Sequence, residues 1–326
     1  MLSPCSSALK KDVLAGCTVV YRNKSDFDAT FAMIVAKGKN KLHVISDFDF
    51  TLTKYYQEDG SRSASCHMVL EHSVGLLPDS YCTGAKFLQQ KYHPIEVDPH
   101  MDYAVKFQHM EDWVLAHNKL FMESGLTQNI IDIAVTRALE SKHFRIRPRV
   151  SELISMLETN QVPLLIFSAG ITNVLENALQ KDLLVNSLSS SLPSNVNIIS
   201  NKCLFDLKDG SLTGFSEPVL HVYNKTCHAF VETNPHFKIL DKDQRRNVLL
   251  FGDSLGDIKM SQGIEDKIDH IIKVGFVNDK AVDIGDSRLE TFLALNNYDL
   301  VVLGDPGMDV QIYLLNQVLS MCKNNL

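Results

Sequence analysis

The stretch Leu42-His43-Val44-Ile45-Ser46-Asp47-Phe48-Asp49-Phe50-Thr51-Leu52-Thr53 decides how this chain is read. Its first four residues form a continuous apolar run of strand length, which predicts a strand buried on both faces. The strand runs directly into two carboxylates at alternate positions. Strand ends in open α/β sheets deliver side chains to a ligand crevice, and two aspartates this close repel one another unless a proton or a metal lies between them. Mg²⁺ suits such a place, because it takes a few oxygen ligands and leaves its other positions to water and phosphate. A calcium-loop reading, with Glu58 as the twelfth-position acid, fails at the sixth position: Leu52 stands where a glycine permits the sharp turn, and a strand leads in where a helix should. Taken alone, the pair also fits a strand that simply ends in a solvated loop.

Working outward, similar apolar segments recur at Val162–Phe167, Asn195–Ile199, Asn247–Phe251, His270–Val274 and Asp299–Leu303. Helical patterns lie between most of them: Arg149–Thr159, with Pro148 at the first helical position, Asn173–Asp182, Asp257–Gln262 and Met308–Met321. Alternation of strands and helices predicts an α/β fold built on a parallel sheet. Tyr55 to Phe144 breaks the rhythm. There Phe107, Met110, Val114, His117 and Phe121 recur at helical spacing, and Ile130, Ile131, Val135, Ala138 and Leu139 mark a further amphipathic helix. A helical cap over the functional site, inserted after the first core strand, is the expectation. Lys202–Phe215 reads as a hairpin turning at Lys208-Asp209-Gly210, and Ser187–Asn195 as a solvated connection.

The chain has 326 residues, 45% hydrophobic and 22% charged, with a formal net charge of −7. That composition belongs to folded globular proteins, and the absence of positive excess disfavours a nucleic-acid partner. No apolar run approaches the roughly 20 residues of a spanning helix, and the amino-terminal residues lack a signal peptide's apolar segment. Seven cysteines, Cys5, Cys17, Cys66, Cys82, Cys203, Cys227 and Cys322, are scattered without a Cys-x-x-Cys pair, which predicts reduced thiols in the cytoplasm.

Two further strand ends carry chemistry. Phe251-Gly252-Asp253-Ser254-Leu255-Gly256-Asp257 repeats the strand-to-acid arrangement, with glycines that allow close backbone approach and Asp257 placed to cap the next turn or support a metal-bound water. Leu164-Leu165-Ile166-Phe167 ends in Ser168-Ala169-Gly170, a hydroxyl beside small residues, suited to a phosphate oxygen. Lys225, in Val222-Tyr223-Asn224-Lys225, supplies a countercharge. Each feature alone has a bland reading as turn or solvated lysine; the set together does not.

That set resembles the four motifs of the haloacid dehalogenase superfamily of phosphatases: Asp47-Phe48-Asp49-Phe50-Thr51, Ser168, Lys225 and Gly252-Asp253-Ser254-Leu255-Gly256-Asp257. Ile95-Glu96-Val97-Asp98-Pro99, the helix bearing Trp113, and Phe167-Ser168-Ala169-Gly170-Ile171 extend the resemblance, from about Lys41 onward, to the cytosolic 5'-nucleotidase III, or pyrimidine 5'-nucleotidase, family. It implies a Rossmann-like core over residues 1–54 and 145–326 with a helical cap over 55–144. It further implies that Asp47 attacks the phosphorus of a nucleoside 5'-monophosphate and is phosphorylated, while Asp49 protonates the leaving ribose oxygen and then activates water. Mg²⁺ would be held by Asp47, the main-chain carbonyl of Asp49, and Asp253, with Asp257 supporting that shell. Ser168, Ala169, Ser254 and Lys225 would bind the phosphoryl group, and Glu96 the base. Trp113 is a candidate stacking platform, although such a residue is more often core.

Departures from the family pattern concern the base. His117 stands where the pattern has a serine and Thr172-Asn173 where it has Gly-Asp, so pyrimidine (CMP, UMP) and 7-methyl-GMP substrates stay open. Thr226-Cys227-His228 also differs and is assigned no role. Cys66-His67 is read as packing, since adjacent residues chelate one zinc poorly and no further ligands follow at usual spacing. The competing readings are a phosphatase for another small phosphomonoester such as phosphoserine, or a non-catalytic nucleotide-binding scaffold. The chain is expected to act as a monomer in the cytoplasm, with neither nucleic acid nor membrane as partner.

Overall fold

The computed structural model describes residues 9–320 except Pro99, Ser187, Ser189, Ser190 and Lys280. Cys5, Cys322, Met321 and part of the Ser187–Asn195 connection lie outside the described residues. The central feature is an eight-stranded sheet ordered β1-β2-β10-β9-β8-β3-β4-β5. It comprises β1 (Lys10–Leu14), β2 (Cys17–Tyr21), β3 (Leu42–Ser46), β4 (Leu164–Ile171), β5 (Val196–Asn201), β8 (Asn247–Gly252), β9 (His270–Val277) and β10 (Leu300–Leu303). From β10 to β5 every pairing is parallel, as the alternation predicts; β1 and β2 join antiparallel at one edge. All five residues of β3 are buried. Val44, Leu164, Ile166, Leu249 and Phe251 enter one hydrophobic cluster, and Ile45, Leu165, Phe167, Val248 and Leu250 the cluster on the opposite face.

The chain leaves β3 towards β4 and β5 on one side and later builds β8, β9 and β10 on the other. The order of strands therefore reverses between β3 and β8, and a crevice opens at their carboxyl ends.

Between β3 and β4 the inserted segment forms α2 (Cys66–Glu71), α3 (Asp79–Val97), α4 (Tyr103–Glu123) and α5 (Gln128–Glu140) before α6 (Val150–Thr159) returns to the sheet. Ser65, Asp102 and Thr127 cap α2, α4 and α5 through their side-chain oxygens. The segment's buried side chains, including Val69, Tyr81, Phe121, Ile131 and Val135, belong to the same cluster as the sheet residues; Leu88, Tyr92 and Met110 form a small cluster of their own. The two connections into and out of the insertion run side by side, with Thr53 bridging Ile146 in antiparallel fashion.

Several local expectations are corrected. Pro148 does not open α6: Arg149, with φ of 71°, is its N-cap, and Pro148 precedes it. Asp257–Ser261 is a 3-10 turn. Strands β6 (Cys203–Phe205) and β7 (Leu212–Phe215) form the expected hairpin, but as a separate two-stranded sheet outside the core sheet. The first 40 residues contribute more than expected: β1, β2 and α1 (Lys24–Lys37), whose N-cap Asn23 accepts from the amides of Ser25 and Asp26. The remaining helices are α7 (Thr172–Val185), α8 (Pro235–Asp243), α9 (Ser287–Phe292) and α10 (Asp309–Ser320). Cys17, Cys66, Cys82, Cys203 and Cys227 are free thiols, as expected.

A buried arginine fixes the turn after β3. Phe50 has φ of 61°, a left-handed conformation costly for a bulky side chain. Its carbonyl accepts from Arg147 Nη2 (2.6 Å) and Asn278 Nδ2 (3.0 Å). Arg147, 1% exposed, also donates through Nε to the Thr51 carbonyl (2.7 Å) and pairs with Asp305 (2.8 Å). Removing one partner of a buried pair leaves an uncompensated charge. Arg147→Met is expected to lower unfolding free energy by about 3 kcal/mol or more, read from denaturant midpoints.

Candidate active site

Three adjacent parallel strands supply the floor of one cavity. β3 ends at Asp47, whose amide donates to the Phe251 carbonyl of β8 (2.9 Å), and the next turn is closed by the amides of Thr51, Leu52 and Thr53 on the Phe48 carbonyl. β8 runs into Gly252-Asp253-Ser254, and Asp257 Oδ2 ties that turn by accepting from the amides of Asp253 (3.0 Å) and Ser254 (2.9 Å) and from the Ser254 hydroxyl (2.8 Å). Gly252 has no room for a side chain: a Cβ there would lie 2.4 Å from Asp257 Cβ and 2.6 Å from the Tyr298 hydroxyl.

Lys225 is brought in by a loop the sequence gave little reason to place. Asn201, at the end of β5, donates to the Leu220 carbonyl and accepts from the Leu220 amide. Asn224 closes the same loop on His221 and Val219. The Lys225 ammonium thereby sits 2.6 Å from Asp47 Oδ1 and 2.5 Å from Asp257 Oδ1, with all three side chains buried. Burial alone would lower this ammonium, but the carboxylates of Asp257 and Asp47 outweigh it and its pKa is raised.

The acids carry the opposite strain. Burial pushes Asp47 up, against the pull of Lys225. Asp253 is driven well above the ordinary carboxylate range by burial and by the charges of Asp257 and Asp47. Oxygens of Asp47, Asp253 and Asp257 lie within 4.8 Å of one another. The Asp253 carboxylate accepts no hydrogen bond among the described residues. An all-oxygen acid cluster with one unpartnered carboxylate fits a hard divalent cation. Asp49 points elsewhere: its Oδ1 accepts from the Cys66 amide (2.9 Å) at the first turn of α2, and burial pushes its carboxyl up to about 6.

Ser168 is 1% exposed, and its Oγ accepts from the Gly170 amide (3.0 Å). A Cβ on Gly170 would lie 3.0 Å from Cys66 Sγ, so this glycine makes room for α2. Cys66 is packed as expected, yet its amide also holds Asp49.

Above the floor opens a cavity of about 1050 Å³. Asp47, Asp49, Ser168, Ala169, Lys225, Asp253, Ser254 and Asp257 line its lower end, and Glu96, His117 and Trp113 its far end. The structure thus brings together every side chain singled out from sequence. Glu96 Oε2 lies 3.1 Å from His93 Nδ1. Trp113 stacks on Tyr92 with ring centroids 5.9 Å apart while also lining the cavity. His117, 5% exposed, stacks on Phe121 (4.7 Å), and burial with nearby His67 lowers it to about 3.

Sequence reading missed three contributors. His67, read as packing, lines the cavity. So does Glu71, the last residue of α2, which burial pushes up to about 7. Tyr223 donates to the Glu96 carbonyl (2.8 Å) while its own carbonyl accepts from Tyr103 (2.6 Å), fastening the Lys225 loop to α3 and α4. The departures at Thr172 and Asn173 serve structure, bonding Ser200 Oγ and the Cys203 amide.

Residues 50–319 match the family model described as pyrimidine 5'-nucleotidase (UMPH-1). The 7-methylguanosine phosphate-specific 5'-nucleotidase of Homo sapiens is 32% identical over 307 residues, spanning 94% of each chain. The crystal structure of cytosolic 5'-nucleotidase IIIB bound to cytidine superposes with a TM-score of 0.81 at 29% identity, over 94% of this chain and 95% of that one. A Vibrio cholerae structure described as a probable phosphoserine phosphatase shares the fold alone, at a TM-score of 0.52 and 13% identity over 89% of this chain and 68% of that one. The architecture is that of the haloacid dehalogenase-like hydrolases.

The collision at Gly252 gives a test of the floor. Gly252→Ala is expected to cost about 1–3 kcal/mol of stability through overpacking against Asp257 and Tyr298, measured by thermal or denaturant unfolding.

Proposed function

The chain belongs to the pyrimidine 5'-nucleotidase (UMPH-1) family, and on that premise we propose that it hydrolyses nucleoside 5'-monophosphates to nucleoside and phosphate with Mg²⁺, through a phosphorylated Asp47. The observation that carries this reading is the position of Asp47. It meets Lys225 at 2.6 Å and the acid cluster on the floor of a cavity whose far end offers Glu96 and Trp113. Residues 55–144 then act as the cap, and 1–54 with 145–326 as the core.

An Asp47 carboxylate oxygen attacks phosphorus and the bond from phosphorus to the ribose 5'-oxygen breaks. Asp49 gives its proton to that departing oxygen. Its pKa of about 6 keeps a useful protonated fraction near neutrality, and the Cys66 amide holds the carboxyl in place. Asp49 then takes a proton from water as the water oxygen attacks phosphorus, and the phosphorus–Asp47 bond breaks, restoring the carboxylate. Lys225, Ser168, Ala169 and Ser254 hold phosphoryl oxygens. Asp47, the Asp49 carbonyl and Asp253 would hold Mg²⁺, which when bound offsets the negative charge of the phosphoryl group and of the acids. Both Asp257 oxygens are committed to Lys225 and to the Asp253–Ser254 turn, which supports a buttressing role for Asp257 over direct ligation.

The cavity favours a nucleotide over phosphoserine: its volume far exceeds a small phosphomonoester, and its far end carries an aromatic platform with a carboxylate. The family description points to pyrimidine nucleotides and the Homo sapiens relative's name to 7-methylguanosine phosphate. The solved relative is named cytosolic, and the proposed enzyme works in the cytoplasm as a monomer. Among the described residues no helix is long and apolar enough to cross a membrane.

Phosphate release from CMP, UMP and 7-methyl-GMP should vanish with EDTA and return with Mg²⁺. Asp47→Asn should lose at least about 1000-fold in kcat with its circular dichroism unchanged. Lys225→Met should lose about 100-fold or more. Near-normal turnover by the Asp47→Asn protein would overturn the mechanism.

A further inference from the structure

The far end of the cavity holds a second acid. Glu71, the last residue of α2, keeps 15% of its side chain exposed and lines the cavity. Its carboxylate accepts no hydrogen bond among the described residues. His117 Nε2 stands 3.8 Å from Glu71 Oε1, outside hydrogen-bond range. Glu96, across the same cavity, already has His93 at 3.1 Å.

His117 is prepared for a ligand in a complementary way. Its Nε2 faces the Tyr81 hydroxyl at 3.1 Å. Tyr81 is buried and its pKa is raised, so its hydroxyl keeps its proton and shares a hydrogen bond with Nε2. Burial keeps His117 neutral. The cavity therefore presents an unpaired carboxylate beside a neutral imidazole.

We infer that Glu71, backed by His117, is a second base-recognition group, selective for a base that brings N–H donors or positive charge to the carboxylate. An N7-alkylated guanine offers both; uracil offers one N–H and no charge. The physical reason is the cost of a desolvated carboxylate without a partner: a neutral base lacking donors leaves it unsatisfied, whereas a cationic base satisfies it. Burial, which pushes Glu71 up to about 7, reports the same lack of a protein partner. The inference rests on the nucleotide reading above and adds to it a residue that discriminates among the bases.

The test is a ratio. With the full-length protein and Mg²⁺, kcat/KM for 7-methyl-GMP divided by that for UMP should fall about tenfold or more in Glu71→Gln, because an amide of the same shape cannot neutralise the base. A merely structural role lowers both substrates together and leaves the ratio unchanged, which would overturn the inference. A second measurement needs no variant: 7-methylguanosine should inhibit the wild-type enzyme about tenfold more tightly than guanosine, and equal inhibition would also overturn it. Turnover of p-nitrophenyl phosphate with none of the nucleotides would sink the nucleotide reading and this inference together. Turnover of nucleotides with an unmoved ratio sinks the inference alone.

Discussion

Four carboxylates, the buried Asp47 and Asp257 and the partly buried Asp49 and Asp253, stand at the carboxyl ends of two neighbouring parallel strands, and among the described residues the Lys225 ammonium is the cation in contact with Asp47 and Asp257. One ammonium cannot balance that much buried negative charge. Burial raises Asp47, Asp49 and Asp253, the neighbouring acids add to it at Asp47 and Asp253, and the cluster of Asp47, Asp253 and Asp257 fits a hard divalent cation. Much of the surrounding structure serves to hold these groups together against their repulsion. Asp257 spends both oxygens on Lys225 and on the turn that follows β8, and Gly252 removes the one side chain that would push that turn away.

The turn after β3 is held as firmly. Phe50 takes a backbone conformation that a bulky residue does not choose, and a persisting outlier of this kind requires its surroundings to over-determine it. Arg147, Asn278 and Asp305 do so from beyond the helical insertion, so the same buried cluster that sets the angle of Asp49 also ties together the two connections of the cap. On the other side, Tyr103 and Tyr223 fasten the cap to the loop carrying Lys225. The loop carrying Lys225 and the helix carrying Glu96 are thereby coupled through short, direct contacts.

The helical insertion is not an independent body resting on the core, for its apolar side chains share the sheet's own cluster. Where it leaves the sheet, around Leu88, Tyr92 and Met110, it walls the end of the cavity with Trp113, His93 and Glu96. On the proposed reading, selectivity among bases falls to side chains of α2, α3 and α4, apart from the acids on the floor.

The sequence by itself determined the parallel core, because strands buried on both faces must be continuous apolar runs, and it marked the catalytic floor, because acids immediately after such runs have few other uses. It left the amino-terminal strands unread: their turn is Ala15-Gly16, with φ of 51° and 80°, and alanine gives none of the signal that asparagine or aspartate gives there. It also could not show that Glu71 and His117 face one cavity, that Arg147 holds Phe50, or that Asn201 positions Lys225. Each of these pairs is separated by tens of residues and joined by burial and hydrogen-bond geometry, which local pattern does not encode. Only packing the insertion onto the sheet brings such residues within reach, so tertiary structure decides how the site is aimed while sequence decides what it is made of.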